Sequence, residues 1–282
     1  MKITKSKPLF IVGSGRNGTR SIFRMLRGNL LIEAHHEYMC ENIQKISCLY
    51  SMGLISRDKC KEKVFNHYYP AINYSKKEIW LDSSNKASWI IDILSEIFPS
   101  SRFIHLIRDP RRVVPSFYYK LREEMYDSES VNSLANWINN GMNANQVPPP
   151  EKKYWWKLNL NKDNNIEKKE IDLPRFKKVC RHWIEINEAI DNSLSNLPKE
   201  RYCVFKLEDL VESKKSINLF LKFLGLPESP YFFDFLQKPR NVFLPLEFNC
   251  TKEQELILNN ICSIKAREYG YDLNEKLLPI NY

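Results

Sequence analysis

The sequence holds no C-x-x-C pair, no histidines at metal-ligand spacing, no internal repeat and no stretch of 18 uninterrupted apolar residues. Its seven cysteines, Cys40, Cys48, Cys60, Cys180, Cys203, Cys250 and Cys262, are scattered and odd in number, which argues against a disulfide framework. The five histidines offer no ligand set, so no metal is expected. Without a long apolar run there is no membrane-spanning helix. At the start, MKITKSKPLFIVGSG carries only Leu9 to Val12 as an apolar run, too short for the core of a signal peptide. The expected location is the cytoplasm.

What is present is the balance of a globular protein, with 43% hydrophobic and 27% charged residues over 282 positions. A net charge of +9 admits nucleic acid, an anionic surface or a polyanionic small molecule as partner. The basic residues gather at strand-to-helix turns with few aromatics among them to stack on bases, so no specific nucleic-acid partner is expected.

Apolar runs bounded by turn residues predict strands at 9–12, 78–82, 102–107 and 201–207. Helical spacing predicts helices over 19–30, 86–98, 176–196, 214–224 and 251–268. Alternating strands and helices imply an α/β fold, a three-layer sandwich with a mostly parallel central sheet covered on both faces. Residues 127–175 are rich in Asn and Lys, contain three consecutive prolines and have weak periodicity. They read as an insertion or lid with one short helix near 131–140, in a chain otherwise forming a single domain over 1–282.

The stretch PLFIVGSGRNGTRSIFRML breaks a strand with Gly13, Gly15 and Gly18 and resumes as an arginine-bearing helix. Such a turn exposes backbone N–H groups and the positive end of the helix dipole, which suits phosphate or sulfate. The Gly13 to Gly18 spacing is that of a nucleotide-binding loop, but Thr19 stands where its lysine would be, and Arg16 and Arg20 are the nearest cations. A second cationic stretch, FIHLIRDPRRVVPSFYYKLRE, ends a strand at Arg108, opens a helix at Asp109 and Pro110, and continues through Ser116 and Lys120. Arg108 can bind phosphate bidentately, Ser116 can donate a hydroxyl and Lys120 can add charge. Pro115 interrupts the ladder of that helix.

Together the two stretches resemble the sulfotransferase superfamily that uses 3′-phosphoadenosine 5′-phosphosulfate (PAPS). FIVGSGRNGTRSI resembles its 5′-phosphosulfate loop and IRDPRRVVPSFYY its 3′-phosphate motif, while RYCVFKLEDLVESKKSINLFLKFLGLP resembles a strand and helix of its C-terminal half. The resemblance implies that Arg16, Asn17, Gly18, Thr19, Arg20 and Ser21 hold the 5′-phosphosulfate and that Arg108, Ser116 and, by position, Lys120 hold the 3′-phosphate. Lys238 and Arg240 resemble a late basic loop only loosely, and a solvated loop is the preferred reading.

Sulfuryl transfer needs an in-line acceptor, a base for its proton and positive charge near the leaving phosphate. In EAHHEYMCEN, residues 33–42, the family places a catalytic Glu or His, which puts Glu37 first, His36 second and His35 third as the base. Adjacent residues of an extended chain face opposite ways, so His35 and His36 cannot both face one site. Lys86 resembles the family lysine that reaches the transferred group. Tyr154, Trp155 and Trp156 could stack on an acceptor or anchor the insertion. The acceptor is open among a saccharide, a tyrosine-containing peptide, a lipid and a small alcohol. Two rival readings stand beside the enzyme: a P-loop kinase, with Asp82 helping to hold magnesium, and an inactive polyanion-binding module.

Overall fold

A computed structural model describes residues 5–119, the backbone of Lys120, and residues 126–142, 157–238 and 250–277. Strand β1 (Lys7–Val12) leads through the glycine turn into α1 (Thr19–Leu26), followed by β2 (Ile32–His36), α2 (Cys40–Ser51), α3 (Arg57–Tyr74) and β3 (Ile79–Ser83). A 3-10 turn (Lys86–Trp89), α4 (Ile91–Ile97), β4 (Arg102–Ile107), α5 (Pro110–Lys120), α6 (Ser128–Asn139) and α7 (Lys168–Ile171) come next. The long α8 (Arg175–Ser195), β5 (Tyr202–Lys206), α9 (Leu207–Glu212), α10 (Lys214–Leu224), α11 (Pro230–Gln237) and α12 (Lys252–Glu268) complete the described chain.

The five strands pair in parallel in the order β2-β3-β1-β4-β5. Alternation along β1 sends Leu9 and Ile11 to one face and Phe10 and Val12 to the other. The first face is covered by α1, α9, α10 and α11, through Ile22, Leu210, Phe220 and Phe232. The second is covered by α2, α3, α4 and α8, through Ile43, Tyr68, Leu94 and Ile186. This is the expected α/β sandwich. Because the chain leaves β1 toward β2 and later crosses back to β4, the strand order reverses beside β1. In open parallel sheets ligands bind at such a reversal, beyond the C-terminal strand ends.

The four anticipated strands appear within a residue or two of their expected bounds, and β2, where no strand was anticipated, is the fifth. Its IEAHH sequence is polar and half-exposed because β2 lies at the sheet edge, so it lacks the apolar run of a central strand. Helix α1 ends at Leu26 rather than Leu30, since Gly28 turns left-handed at φ 91°. The helix expected over 86–98 is split at Ile90, whose φ of −130° is not helical. Its first turn is held to the end of β1 by Ser88 Oγ, which accepts from Gly13 N (3.1 Å) and donates to Gly13 O (3.0 Å). Within 127–175, Val131, Leu134 and Trp137 of α6 are buried with Val113 of α5 and Val179 and Trp183 of α8 in one apolar cluster.

Behind the sheet, His105 of β4 makes two contacts to α8, with Asn187 Oδ1 (2.9 Å) and Asp191 Oδ1 (3.2 Å). Asp191 Oδ2 also accepts from Lys265 Nζ (2.7 Å) and Tyr269 OH (2.5 Å), which ties α12 to the same point. Burial alone would raise the Asp191 carboxyl, but hydrogen bonds from His105, Lys265 and Tyr269 hold it down at about 2, against an ordinary 3.8. A depressed carboxyl stabilises the fold above its unfolded pKa and loses that contribution as pH falls. Asp191→Asn should therefore lower stability by about 1–2 kcal/mol near neutral pH, allowing for the partial exposure of the carboxylate. The difference should shrink between pH 3.8 and about 2 in denaturant titrations run across that range.

Candidate active site

The glycine turn is clamped to the neighbouring strand end. The buried Asn17 amide donates from Nδ2 to the Leu106 carbonyl at the end of β4. Arg16, in the left-handed region at φ 55°, donates from Nε to Ser116 Oγ of α5 (2.9 Å). Arg108 donates from Nη1 to the Arg16 carbonyl (3.0 Å), so each loop holds the other. The two cationic stretches, expected to serve two separate anion sites on adjacent strands, are thus joined directly by the Arg16–Ser116 bond.

The glycines serve packing here as well as ligand access. A Cβ at Gly15 would lie 2.8 Å from both Asn85 Nδ2 and Phe117 Cζ, and one at Gly18 would lie 2.8 Å from the Leu207 methyls. Both residues also have positive φ, at 84° and 94°. Gly18 caps α1, and Ser21 N already donates to Gly18 O (2.9 Å), which leaves the Thr19 and Arg20 amides at the start of the helix as anion donors.

Asp109 opens α5 as anticipated, accepting from Arg111 N (2.8 Å) and pairing with the Arg111 guanidinium (2.7 Å). Its carboxylate is therefore not the partner of Arg108. The Arg108 carbonyl accepts from Trp183 Nε1 (3.3 Å), while its Nε is buried with no hydrogen-bond partner among the described residues. A buried guanidinium N–H lacking an acceptor is costly unless an anion supplies one.

Beside this crevice, β2 ends in His36 and a turn built from two left-handed residues, Glu37 (φ 55°) and Met39 (φ 49°). Asp82, at the end of β3 and fully buried, holds the turn through Oδ1, which accepts from Tyr38 N (3.1 Å), while Oδ2 accepts from Tyr68 OH (3.0 Å). Burial pushes the Asp82 carboxyl up to about 7, despite these hydrogen bonds. The sequence had offered Asp82 as a magnesium ligand; here Oδ1 is engaged by the turn and Oδ2 by Tyr68 of α3.

His36 and His35 face opposite sides of β2, as alternation requires. His35 stacks on Trp80 (4.9 Å between centroids) and meets Glu33 Oε1 (3.2 Å). His36 stacks on Phe23 of α1 (5.8 Å), and its Nδ1 lies 2.8 Å from the Ser83 carbonyl and 3.1 Å from Ser83 Oγ. Ser83 Oγ donates its proton to Thr19 O (3.1 Å), so Nδ1 faces acceptors and carries the hydrogen. The lone pair is then on Nε2. Burial, first, lowers the His36 pKa and favours this neutral form, against the raising effects of Glu37 and the Ser83 carbonyl.

Lys86 is 4% exposed, and its Nζ lies 3.7 Å from Glu37 Oε1. Burial lowers its pKa, opposed chiefly by Glu37. Close by is His182, a residue the sequence reading missed. Its Nε2 donates to Ser14 O (3.1 Å), its ring meets Phe117 edge-on, and burial brings its pKa down to about 4. His182 sits within the apolar repeat of α8 between Val179 and Ile186, and from sequence alone such a histidine is indistinguishable from a core residue. Asn85, which faces Gly15, was likewise not singled out.

Lys238 is exposed at the end of α11. The side chain of Lys120 and all of Tyr154, Trp155, Trp156 and Arg240 lie outside the described residues. Among the described residues no helix is long and apolar enough to cross a membrane.

The fold is that of the sulfotransferase domains. It aligns with the sulfotransferase domain of the Synechococcus PCC 7002 olefin synthase at a TM-score of 0.52 and 17% identity, over 99% of this chain and 98% of that one. It also aligns with sulfotransferase STF9 from Mycobacterium avium at a TM-score of 0.51 and 12% identity, over 96% of this chain and 79% of that one. Residues 33–149 match the model of a sulfotransferase family, a segment that includes His36, Glu37, Lys86, Arg108 and Ser116 but not the glycine turn. The family match and the shared fold bear out the resemblance to the sulfotransferase superfamily. No curated protein matches the sequence.

The buried Asp82 yields a prediction of defined sign. A carboxyl whose pKa is raised on folding lowers stability as pH rises from 3.8 to about 7. Asp82→Asn, which cannot ionise, should therefore gain stability relative to wild type between pH 5 and pH 8 in thermal melts. Asp82→Ala strands two donors, Tyr38 N–H and Tyr68 O–H, and should cost roughly 2–4 kcal/mol.

Proposed function

We propose that this protein is a PAPS-dependent sulfotransferase acting on a hydroxyl or amine acceptor. The observation that carries this reading is the meeting of Arg16, Ser116 and Arg108 beyond the ends of β1 and β4, with Arg108 Nε buried and lacking an acceptor. That arrangement fits an anion at the strand-order reversal. The nucleotide would supply the sulfuryl group and depart as 3′-phosphoadenosine 5′-phosphate.

In this reading the Thr19 and Arg20 amides and Arg16 hold the 5′-phosphosulfate, with Asn17, Gly18 and Ser21 shaping the turn. Arg108 and Ser116 hold the 3′-phosphate, with Lys120 assigned beside them by sequence position. Lys86 places positive charge where the leaving phosphate gains negative charge, in a buried setting that strengthens the effect. Glu37 anchors Lys86. We assign the base to His36 ahead of Glu37, because its hydrogen bonds leave Nε2 with the lone pair and burial keeps the ring neutral. The acceptor proton passes to Nε2.

The kinase reading is weakened by the engaged oxygens of Asp82 and by the absence of a lysine in the turn. Calorimetric titration with 3′-phosphoadenosine 5′-phosphate, ATP and magnesium–ATP decides between them. The bisphosphate should bind without metal, and Arg108→Ala should weaken it about 10- to 100-fold. Preference for magnesium–ATP would establish the kinase instead, and no nucleotide binding would leave a polyanion-binding module. With a turned-over acceptor, His36→Ala should reduce kcat by about 10²–10⁴ while Glu37→Gln has the smaller effect. Full turnover by His36→Ala would return the role of base to Glu37.

A further inference from the structure

We propose that the acceptor carries an anionic group, a carboxylate or phosphate, held by Arg20 on the exposed face of α1 and Arg27 at its C-cap. This rests on the sulfotransferase reading and on His36 as the base. The His36 ring stacks on Phe23, and on a helix the residues three before and four after share the face of the residue between them. Those neighbours of Phe23 are Arg20 and Arg27. Both are exposed, and among the described residues neither has an ion-pair partner.

Among the described residues no acid pairs with either arginine, and Glu37, the acid beside His36, is engaged with Lys86. Glu33 is the first acidic residue of the chain, so nothing in β1, the glycine turn or α1 can neutralise the arginines. On β2, Ala34 and His36 lie on the α1 side, whereas Glu33 is on the opposite side against His35. Helix α11 packs beside α1 with a single acid, the exposed Asp234. The charge of Arg20 is felt at His36, where it opposes protonation. Arg20 and Arg27 are separated by about 10 Å along the helix axis. An acceptor with its hydroxyl at His36 Nε2 and its body across Phe23 would meet one guanidinium near the hydroxyl and the second about two turns away. A single guanidinium can grip a carboxylate or phosphate bidentately, and the second adds attraction along the same face.

The test uses the full chain saturated with 3′-phosphoadenosine 5′-phosphate and two matched pairs of probes, 4-hydroxybenzoate with 4-hydroxybenzamide, and glycerol 3-phosphate with glycerol. Binding is followed by saturation-transfer NMR. A charged member of at least one pair should bind about tenfold or more tightly than its neutral twin, and the pair that responds tells carboxylate from phosphate. Arg27→Gln and Arg20→Gln should each reduce that preference about 5- to 10-fold, and Arg27→Gln, which lies outside the donor site, should leave affinity for the bisphosphate unchanged. Equal binding within both pairs, no binding of either charged probe, or a preference that survives in the double variant overturns the proposal. Charged probes that displace the bisphosphate overturn it too, since they would be filling the donor site. Loss of bisphosphate binding by the wild-type protein is a separate result, which sinks the sulfotransferase reading itself.

Discussion

The buried hydrogen bond from the Asn17 amide to the Leu106 carbonyl decides where the chain goes after β1. It pins the glycine turn to the end of the adjacent strand and brings Arg16 within reach of Ser116 and the Arg16 carbonyl within reach of Arg108. It is the buried one of three ties between the two cationic loops, beside Arg16–Ser116 and Arg108–Arg16. Ser88, bonded twice to Gly13, sets the third side and carries Lys86 with it on the same short turn. The geometry of the candidate donor site therefore follows from backbone acceptors at strand ends, which are among the most rigid points of a parallel sheet.

A second set of constraints works through burial. Asp82, Lys86, His36 and His182 all lie in or beside the crevice, and burial is the leading influence on each pKa. It raises the carboxyl and lowers the three bases, so each group is driven toward its neutral form. The fixed positive charge of the crevice rests chiefly on the guanidiniums of Arg16 and Arg108, which suits an anion. Glu37, a third exposed, opposes this for Lys86 at 3.7 Å, and the strained turn that presents it is held by Asp82 from beneath.

Much of this could be read from the residues in order. The central strands announced themselves as apolar runs, and Arg108 and Ser116, expected together from the resemblance of IRDPRRVVPSFYY to a 3′-phosphate motif, both bond to Arg16. Gly13, Gly15 and Gly18 marked the turn, although the reason for Gly15 and Gly18 includes contact with Phe117 and Leu207, far away in sequence. Strand β2 was not legible, because an edge strand of two histidines and a glutamate has the composition of a loop. Helices α2 and α3 lacked a strong apolar stripe, and α3 contains Pro70. The roles of Asp82 and His182 depend on contacts across 44 and 168 residues, which no local pattern encodes.

The contact between Gly18 and Leu207 joins the first loop of the fold to the first residue after the last strand. The two positions share one small volume: any side chain at 18 must be accommodated by a smaller one at 207, and the positive φ at 18 remains a penalty even then. Over evolutionary time these sites cannot drift independently. The β5–α9 corner, which carries none of the proposed chemistry, is thereby bound to the history of the loop that does.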